Sequence, residues 1–441
     1  MVAVRKGMDR MLFDRAATVA PPGYSRWMVP PAALAVHLSI GQAYAFSPFN
    51  LPMTRLLGGT AGDWTLVELG WIFSLAIAVL GLSAALFGRW VERVGPRLAM
   101  AVAALCFSDG FVVAAAGVAW HQLWLVYLGY GVLGGCGLGI GYISPVSTLI
   151  KWFPDRPGMA TGMAIMGFGG GALVAAPLEV ALMARFAAPG VWQSFLVLGA
   201  LYLAFMLLGA AVVRVPPEGW SPPGWTPPPA AQVRGVSATD AIRTRQFWLL
   251  WLVLCLNVTA GIGVLGQASP MIQEMFPGRI DAGVAAGFVG LLSLFNMAGR
   301  FFWSSISGRI GRRATYAIFF ALGLALYAAV PLAGAAGSVS LFVAGFALTL
   351  SLYGGGFATI PAYLRDLFGT LQVSAIHGRL LTAWSVAGVL GPVLVNYLRA
   401  WQIERGVAPA QAYTVTMYVM AALLALGWWC NRLIRPLEKQ P

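Results

Sequence analysis

Apolar residues along this chain run in long unbroken stretches instead of alternating with polar ones. About twelve such stretches lie near 31–51, 67–87, 98–118, 123–149, 158–183, 191–213, 246–268, 284–305, 314–334, 338–360, 377–397 and 412–431. Each approaches the roughly 20 residues a helix needs to cross a bilayer. A helix apolar on all sides is surrounded by lipid or by other apolar helices. One longer polar break, 214–245, contains "VPPEGWSPPGWTPPP", whose seven prolines cannot continue a helix and favour extended chain. The pattern predicts an all-α integral membrane protein. It has an N-terminal tail (1–29), a six-helix bundle (30–213), a linker (214–245), a second six-helix bundle (246–431) and a C-terminal tail (432–441).

Composition agrees. Of 441 residues, 59% are hydrophobic and 10% are charged, against about 25% charged in a soluble domain. The 54 glycines suit helices that approach closely in lipid. The net charge of +13 would suggest a nucleic-acid partner in a soluble chain, but its distribution excludes one. Of the 28 lysines and arginines, 22 fall in the two tails, the linker and every second loop, five fall in the other loops, and one, Arg300, lies inside a span. By the positive-inside rule both termini are expected on the cytoplasmic side of the plasma (inner) membrane. No signal-peptide pattern follows the basic cluster Arg5, Lys6, Arg10 and Arg15. Cys106, Cys136, Cys255 and Cys430 share no CxxC spacing, and His37, His121 and His377 have no metal-ligand spacing, so no metal or cofactor is expected.

The halves repeat. "GRWVERVGPR" follows the second stretch and "SSISGRIGRR" the eighth, so that Arg93, Gly95 and Arg97 align with Arg309, Gly311 and Arg313 at an offset of 216, as does Pro145 with Pro361. Duplicated halves are common in transporters that bind substrate between the repeats.

"GRWVERVGPR" resembles the loop signature of the Major Facilitator Superfamily, with Gly88, Glu92, Arg93, Gly95 and Arg97 at its defining positions. In that reading the glycines allow a tight turn, and Glu92 offers a carboxylate to nearby arginines of a cytoplasmic gating loop. The stretches "GQAYAFSPFNLP", "GIGYISPVSTLIKWFPDRPGMATGMAIMGFGGG", "LFNMAGRFFW" and "YGGGFATIPAYLRDLFG" are similar to the oxalate/formate antiporter family, and more distantly to the monocarboxylate transporters. The resemblance implies the superfamily fold, with twelve helices in two pseudo-symmetric halves. Pro157 departs from it, standing where that family usually has arginine.

Arg300 raises the sharpest question. It lies nine residues before Arg309, so about 13 Å deeper, near the middle of a hydrocarbon layer whose half-thickness is about 15 Å. Its charge is permanent, and burying it there costs about 2.5–3.5 kcal/mol on insertion scales. No acid is an obvious partner within "FVGLLSLFNMAGRFFW". A guanidinium pairs with a carboxylate through two parallel hydrogen bonds, which makes Arg300 a candidate anion site. The resemblance implies the same, since that family binds substrate with an arginine here. Asn296, four residues earlier, shares its helix face; the monocarboxylate transporters have an acid there, and asparagine cannot titrate. The resemblance places Tyr44, Tyr142, Tyr353 and Phe357 around the substrate, and Phe168 where the oxalate carrier has a tyrosine. It also places Trp384 and Pro48 where those families carry a second cation. With one cation and an apolar wall, a small monocarboxylate is favoured over oxalate.

Three further features are weighed. The glycines of "GFGGG", 167–171, lie inside an apolar stretch without the strand or lysine of a phosphate loop, so they read as a helix contact. Asp109, twelve residues past Arg97, is the candidate for proton coupling. Glu179 reads as a wetted rim residue near the outer end of the fifth stretch. The expectation is a monomeric secondary carrier of small carboxylates, with protons as a candidate second partner and no enzymatic activity. Its alternatives are an oxalate/formate exchanger, a multidrug exporter and a carboxylate-sensing receptor.

Overall fold

The computed structural model describes residues 15–226, 235–369 and 372–435. Residues 1–14, 227–234, 370–371 and 436–441 lie outside it. Among the described residues, eleven helices are long and apolar enough to cross a membrane. They are α2 (Leu66–Val94), α3 (Pro96–Ala119), α4 (Leu123–Trp152), α5 (Pro157–Arg185), α6 (Val191–Val212), α7 (Arg245–Met275), α8 (Ala282–Ile310), α9 (Arg312–Ala335), α10 (Val339–Phe368), α11 (Thr382–Glu404) and α12 (Thr414–Leu433).

The first expected span is not a continuous helix. Helix α1 (Val29–Ile40) gives way to 3-10 turns at Gly41–Ala45 and Ser47–Phe49 and then a single helical turn, Asn50–Met53. Pro48 and Pro52 lack the amide hydrogens that a continuous ladder needs. Gly41 meets the α5 backbone so closely that a Cβ would lie 2.5 Å from the Phe168 carbonyl oxygen.

Helix ends follow local chemistry. Thr65 and Glu68 form a reciprocal capping box at the start of α2, and Thr244, Asp281 and Ser338 cap α7, α8 and α10 through their side-chain oxygens. Gly95 joins α2 to α3 at φ +85°, and Gly311 joins α8 to α9 at φ +87°, conformations a side chain disfavours. These equivalent one-residue junctions, with Pro145 inside α4 and Pro361 inside α10, carry the repeat into three dimensions. The expected gating loop is therefore a single residue. Gly88, Glu92 and Arg93 are the last turns of α2, and Arg97 begins α3. Glu92 is exposed and, among the described residues, pairs with no arginine.

Helix α5 packs on α8, and α2 on α11, which joins the two halves. Helix α7 is central, with 89% of its apolar window buried, whereas α9 at 33% and α6 at 39% form the rim. Their outward faces carry side chains such as Phe205, Leu208 and Leu332, as a lipid-facing surface requires.

Candidate functional site

Arg300 lies on α8 with no exposed surface. Its Nε donates to Asn296 Oδ1 at 3.0 Å, one helical turn back, and its Nη1 donates to the Ile165 carbonyl of α5 at 3.1 Å. The third nitrogen, Nη2, makes no well-formed hydrogen bond among the described residues. None of the ion pairs among the described residues involves Arg300. Gly169 makes the arrangement sterically possible: a Cβ there would sit 2.7 Å from Arg300 Nε.

Six aromatic side chains close around the guanidinium. It lies over the Phe357 ring at 5.2 Å and the Phe168 ring at 5.9 Å, favourable positions for a cation on a π face. Trp384 packs on Phe357 (4.5 Å), Phe168 (5.3 Å) and Tyr142 (5.3 Å). Tyr44 packs edge-on against Phe168 at 4.9 Å, and its hydroxyl meets that of Tyr353 at 2.5 Å. Tyr44 and Tyr142 belong to the first half of the chain, and Tyr353, Phe357 and Trp384 to the second. All are buried, so the box is closed on both sides of the bundle.

The unpaired polar atoms of this box share a chemistry. Arg300 Nη2, Asn296 Nδ2, the Tyr142 hydroxyl and Trp384 Nε1 make no well-formed hydrogen bond among the described residues, although the Tyr44 and Tyr142 phenols face the guanidinium closely enough to interact with it. Three of them can only donate, and the fourth can donate. Buried donors without partners are costly, and an acceptor-only ligand such as a carboxylate satisfies them.

Every residue assigned to substrate binding from the sequence, namely Arg300, Asn296, Tyr44, Tyr142, Tyr353, Phe357 and Trp384, falls in this one cluster. The residues of "GFGGG" serve helix contacts: Gly169 against Arg300, Gly171 against Gly41, Gly167 against His37. Asp109 does not join the cluster. It is exposed on the same face of α3 as Leu105 and Val112, away from the interior. His37 was missed. It is fully buried on α1, its ring nitrogens face the carbonyls of Ala164 and Tyr142, and its ring lies 5.5 Å from that of Tyr142. It ties α1 to α4 and α5 behind the box. Glu179 needs correction: it is fully buried, bonded by Gln42, and not a wetted rim residue. A polar partner on the broken first span outweighs its position near the helix end.

Comparison with known proteins places the chain among membrane transporters. The model of the Major Facilitator Superfamily matches residues 32–392. The oxalate:formate antiporter of Oxalobacter formigenes is 26% identical over 360 residues, 82% of this chain and 81% of that protein. Monocarboxylate transporter 11 of Homo sapiens is 27% identical over 390 residues, 86% of this chain and 78% of that protein. Among solved structures, a bacterial homolog to the human lysosomal transporter Spinster, inward-facing and unoccupied, aligns with TM-score 0.66 at 15% identity over 94% of this chain and 98% of that one. The last likeness speaks for the fold alone.

Proposed function

The chain belongs to the Major Facilitator Superfamily, and from that premise we propose that it is a secondary active transporter of small monocarboxylates such as formate, lactate or pyruvate. It works as a monomer by alternating access in the plasma (inner) membrane, with both termini in the cytoplasm. The observation that carries the reading is the buried Arg300, which has no carboxylate partner among the described residues and whose Nη2 makes no well-formed hydrogen bond there. The substrate completes the ion pair, and the Tyr142 hydroxyl, Asn296 amide and Trp384 indole supply further donors to its carboxylate.

One guanidinium supports a monocarboxylate over a dicarboxylate, which would need a second cation across the cavity. The aromatic walls, with Phe168 and Trp384 contributing no hydroxyl, suit a short apolar or hydroxylated tail. The relatives named as oxalate:formate antiporter and monocarboxylate transporter support the coarser class, small carboxylates. Energy comes from ion gradients, by anion exchange or proton symport.

Uptake of labelled formate, acetate, lactate, pyruvate and oxalate into proteoliposomes tests the proposal. Each charge-assisted hydrogen bond to Arg300 contributes about 1.5–3 kcal/mol. Arg300→Ala removes two from the bound carboxylate and is expected to reduce uptake at least ~100-fold. Arg300→Lys keeps the charge but loses the fork, and fails as well. Normal uptake by Arg300→Ala at equal protein yield would reject the assignment.

A further inference from the structure

Glu179 is the only acidic side chain among the described residues that is buried. It lies on α5, ten residues beyond Gly169, so about 15 Å along the helix from the Arg300 box. Gln42 Nε2 donates to Glu179 Oε1 at 2.8 Å, and the Tyr130 hydroxyl donates to Gln42 Oε1 at 2.9 Å. Tyr130 therefore fixes the Gln42 amide with its NH2 group toward the acid. Glu179 Oε2 is buried and meets no donor.

The titratable groups that face this carboxyl are two phenols, Tyr130 of α4 and Tyr202 of α6. From α1 and α8 the buried titratable and charged side chains are His37 and Arg300, which pack at the level of residues 164–169 of α5. Arg309 is exposed at the far end of α8, and Tyr44 of the 3-10 segment and Tyr353 of α10 lie beside Arg300. Arg185, on α5 itself, is exposed at the helix end. No ion pair among the described residues includes Glu179. An ionised carboxylate here would be a lone charge with a bare oxygen inside the bundle, which is strongly disfavoured; the neutral acid leaves only an unpaired O–H, a much smaller penalty. The closed arrangement thus holds Glu179 protonated.

Its only hydrogen-bond partner among the described residues sits where movement matters. Gln42 belongs to the 3-10 segment Gly41–Ala45 of the broken first span, which also carries Tyr44. Tyr44 in turn closes the box against Tyr353 of the other half. Ionising Glu179 demands water or a donor at Oε2, and admitting either displaces the segment that positions Tyr44.

We infer that Glu179 is the proton-binding site of this carrier. It takes up one proton as one monocarboxylate binds Arg300, and it returns to the carboxylate form, giving that proton up, when the substrate leaves on the other side. One anion and one proton cross together, so no net charge moves. This rests on the monocarboxylate reading above and selects proton symport within it.

Glu179→Gln preserves the shape and the uncharged state of the closed form. In proteoliposomes it is expected to keep counterflow exchange of labelled substrate near the wild-type rate. It is also expected to lose all uptake driven by a pH gradient and the substrate-induced pH change reported by a trapped dye. Gradient-driven uptake at the wild-type level in Glu179→Gln would overturn the inference, as would loss of exchange together with coupling. Infrared difference spectra of wild type minus Glu179→Gln at neutral pH give a readout independent of transport. A protonated-carboxyl band that persists in Asp109→Asn is expected, and its absence overturns the assignment. Wild-type protein that moves no labelled carboxylate in either mode would reject the substrate class, while the infrared band still decides Glu179.

Discussion

The contact between Tyr44 and Tyr353 joins the two halves of the molecule across the Arg300 box, hydroxyl to hydroxyl at 2.5 Å. Tyr44→Phe keeps the ring, and with it the edge-on packing against Phe168, but leaves the buried Tyr353 hydroxyl without that partner. A buried hydroxyl left unsatisfied costs about 1–3 kcal/mol. That penalty falls on the closed arrangement, because the two residues separate once the halves part. The closed population then drops about 5- to 150-fold. Under the proposed alternating-access cycle every exchange event passes through this arrangement, so counterflow turnover falls by a similar factor. Tyr353→Phe leaves the Tyr44 hydroxyl facing Arg300, which can still donate to it, so its loss is expected to be smaller. The double variant has no orphan and therefore loses less than Tyr44→Phe alone. Turnover is measured as initial counterflow rates in proteoliposomes at saturating substrate, normalised to reconstituted protein. In the double-mutant cycle the coupling is expected at about 1 kcal/mol or more. Losses that simply add, or single variants with unchanged turnover, would refute the claim that this pair closes the box.

Two other outcomes follow from the geometry. Gly169→Ala places a Cβ 2.7 Å from Arg300 Nε and 3.1 Å from Asn296 Oδ1. Shifting the guanidinium sacrifices about one charge-assisted hydrogen bond to substrate, about 1.5–3 kcal/mol, so KM is expected to rise roughly 10- to 100-fold. An unchanged KM would show that α5 does not set the arginine. Asp155, in the turn between α4 and α5, pairs with Arg26 through both oxygens at 2.8 and 3.1 Å, and that hydrogen bonding holds its carboxyl below the usual range. Its stabilisation is present at neutral pH and is lost as pH falls through the depressed value. Asp155→Asn should therefore lower Tm at neutral pH and flatten the acid side of the Tm profile; a profile matching wild type would refute this.

What could be read along the helix axis was legible in the sequence, and what depends on rotation about that axis was not. Arg300 could be placed in depth because Arg309 anchors the end of α8 and the rise per residue is constant. The aromatic partners came through family resemblance, since nothing local in "GQAYAFSPFNLP" says that Tyr44 meets a residue 309 positions away. The break in the first span had a local signal in Pro48 and Pro52, yet average apolarity concealed it. Asp109 shows the other limit. Counting from Arg97 gives its distance along α3, but only packing shows that it shares an exposed face with Leu105 and Val112. Glu179 was misjudged for the same reason. Its place a few residues before Arg185 suggested a wet rim, while Gln42, Tyr130 and Tyr202, from three separate segments, enclose it. A carboxyl's environment in a bundle is set by neighbours distant in sequence. Asp109 and Glu179 therefore exchange the roles that depth alone assigned them: the one counted as interior faces outward, and the one counted as peripheral is sealed in the core.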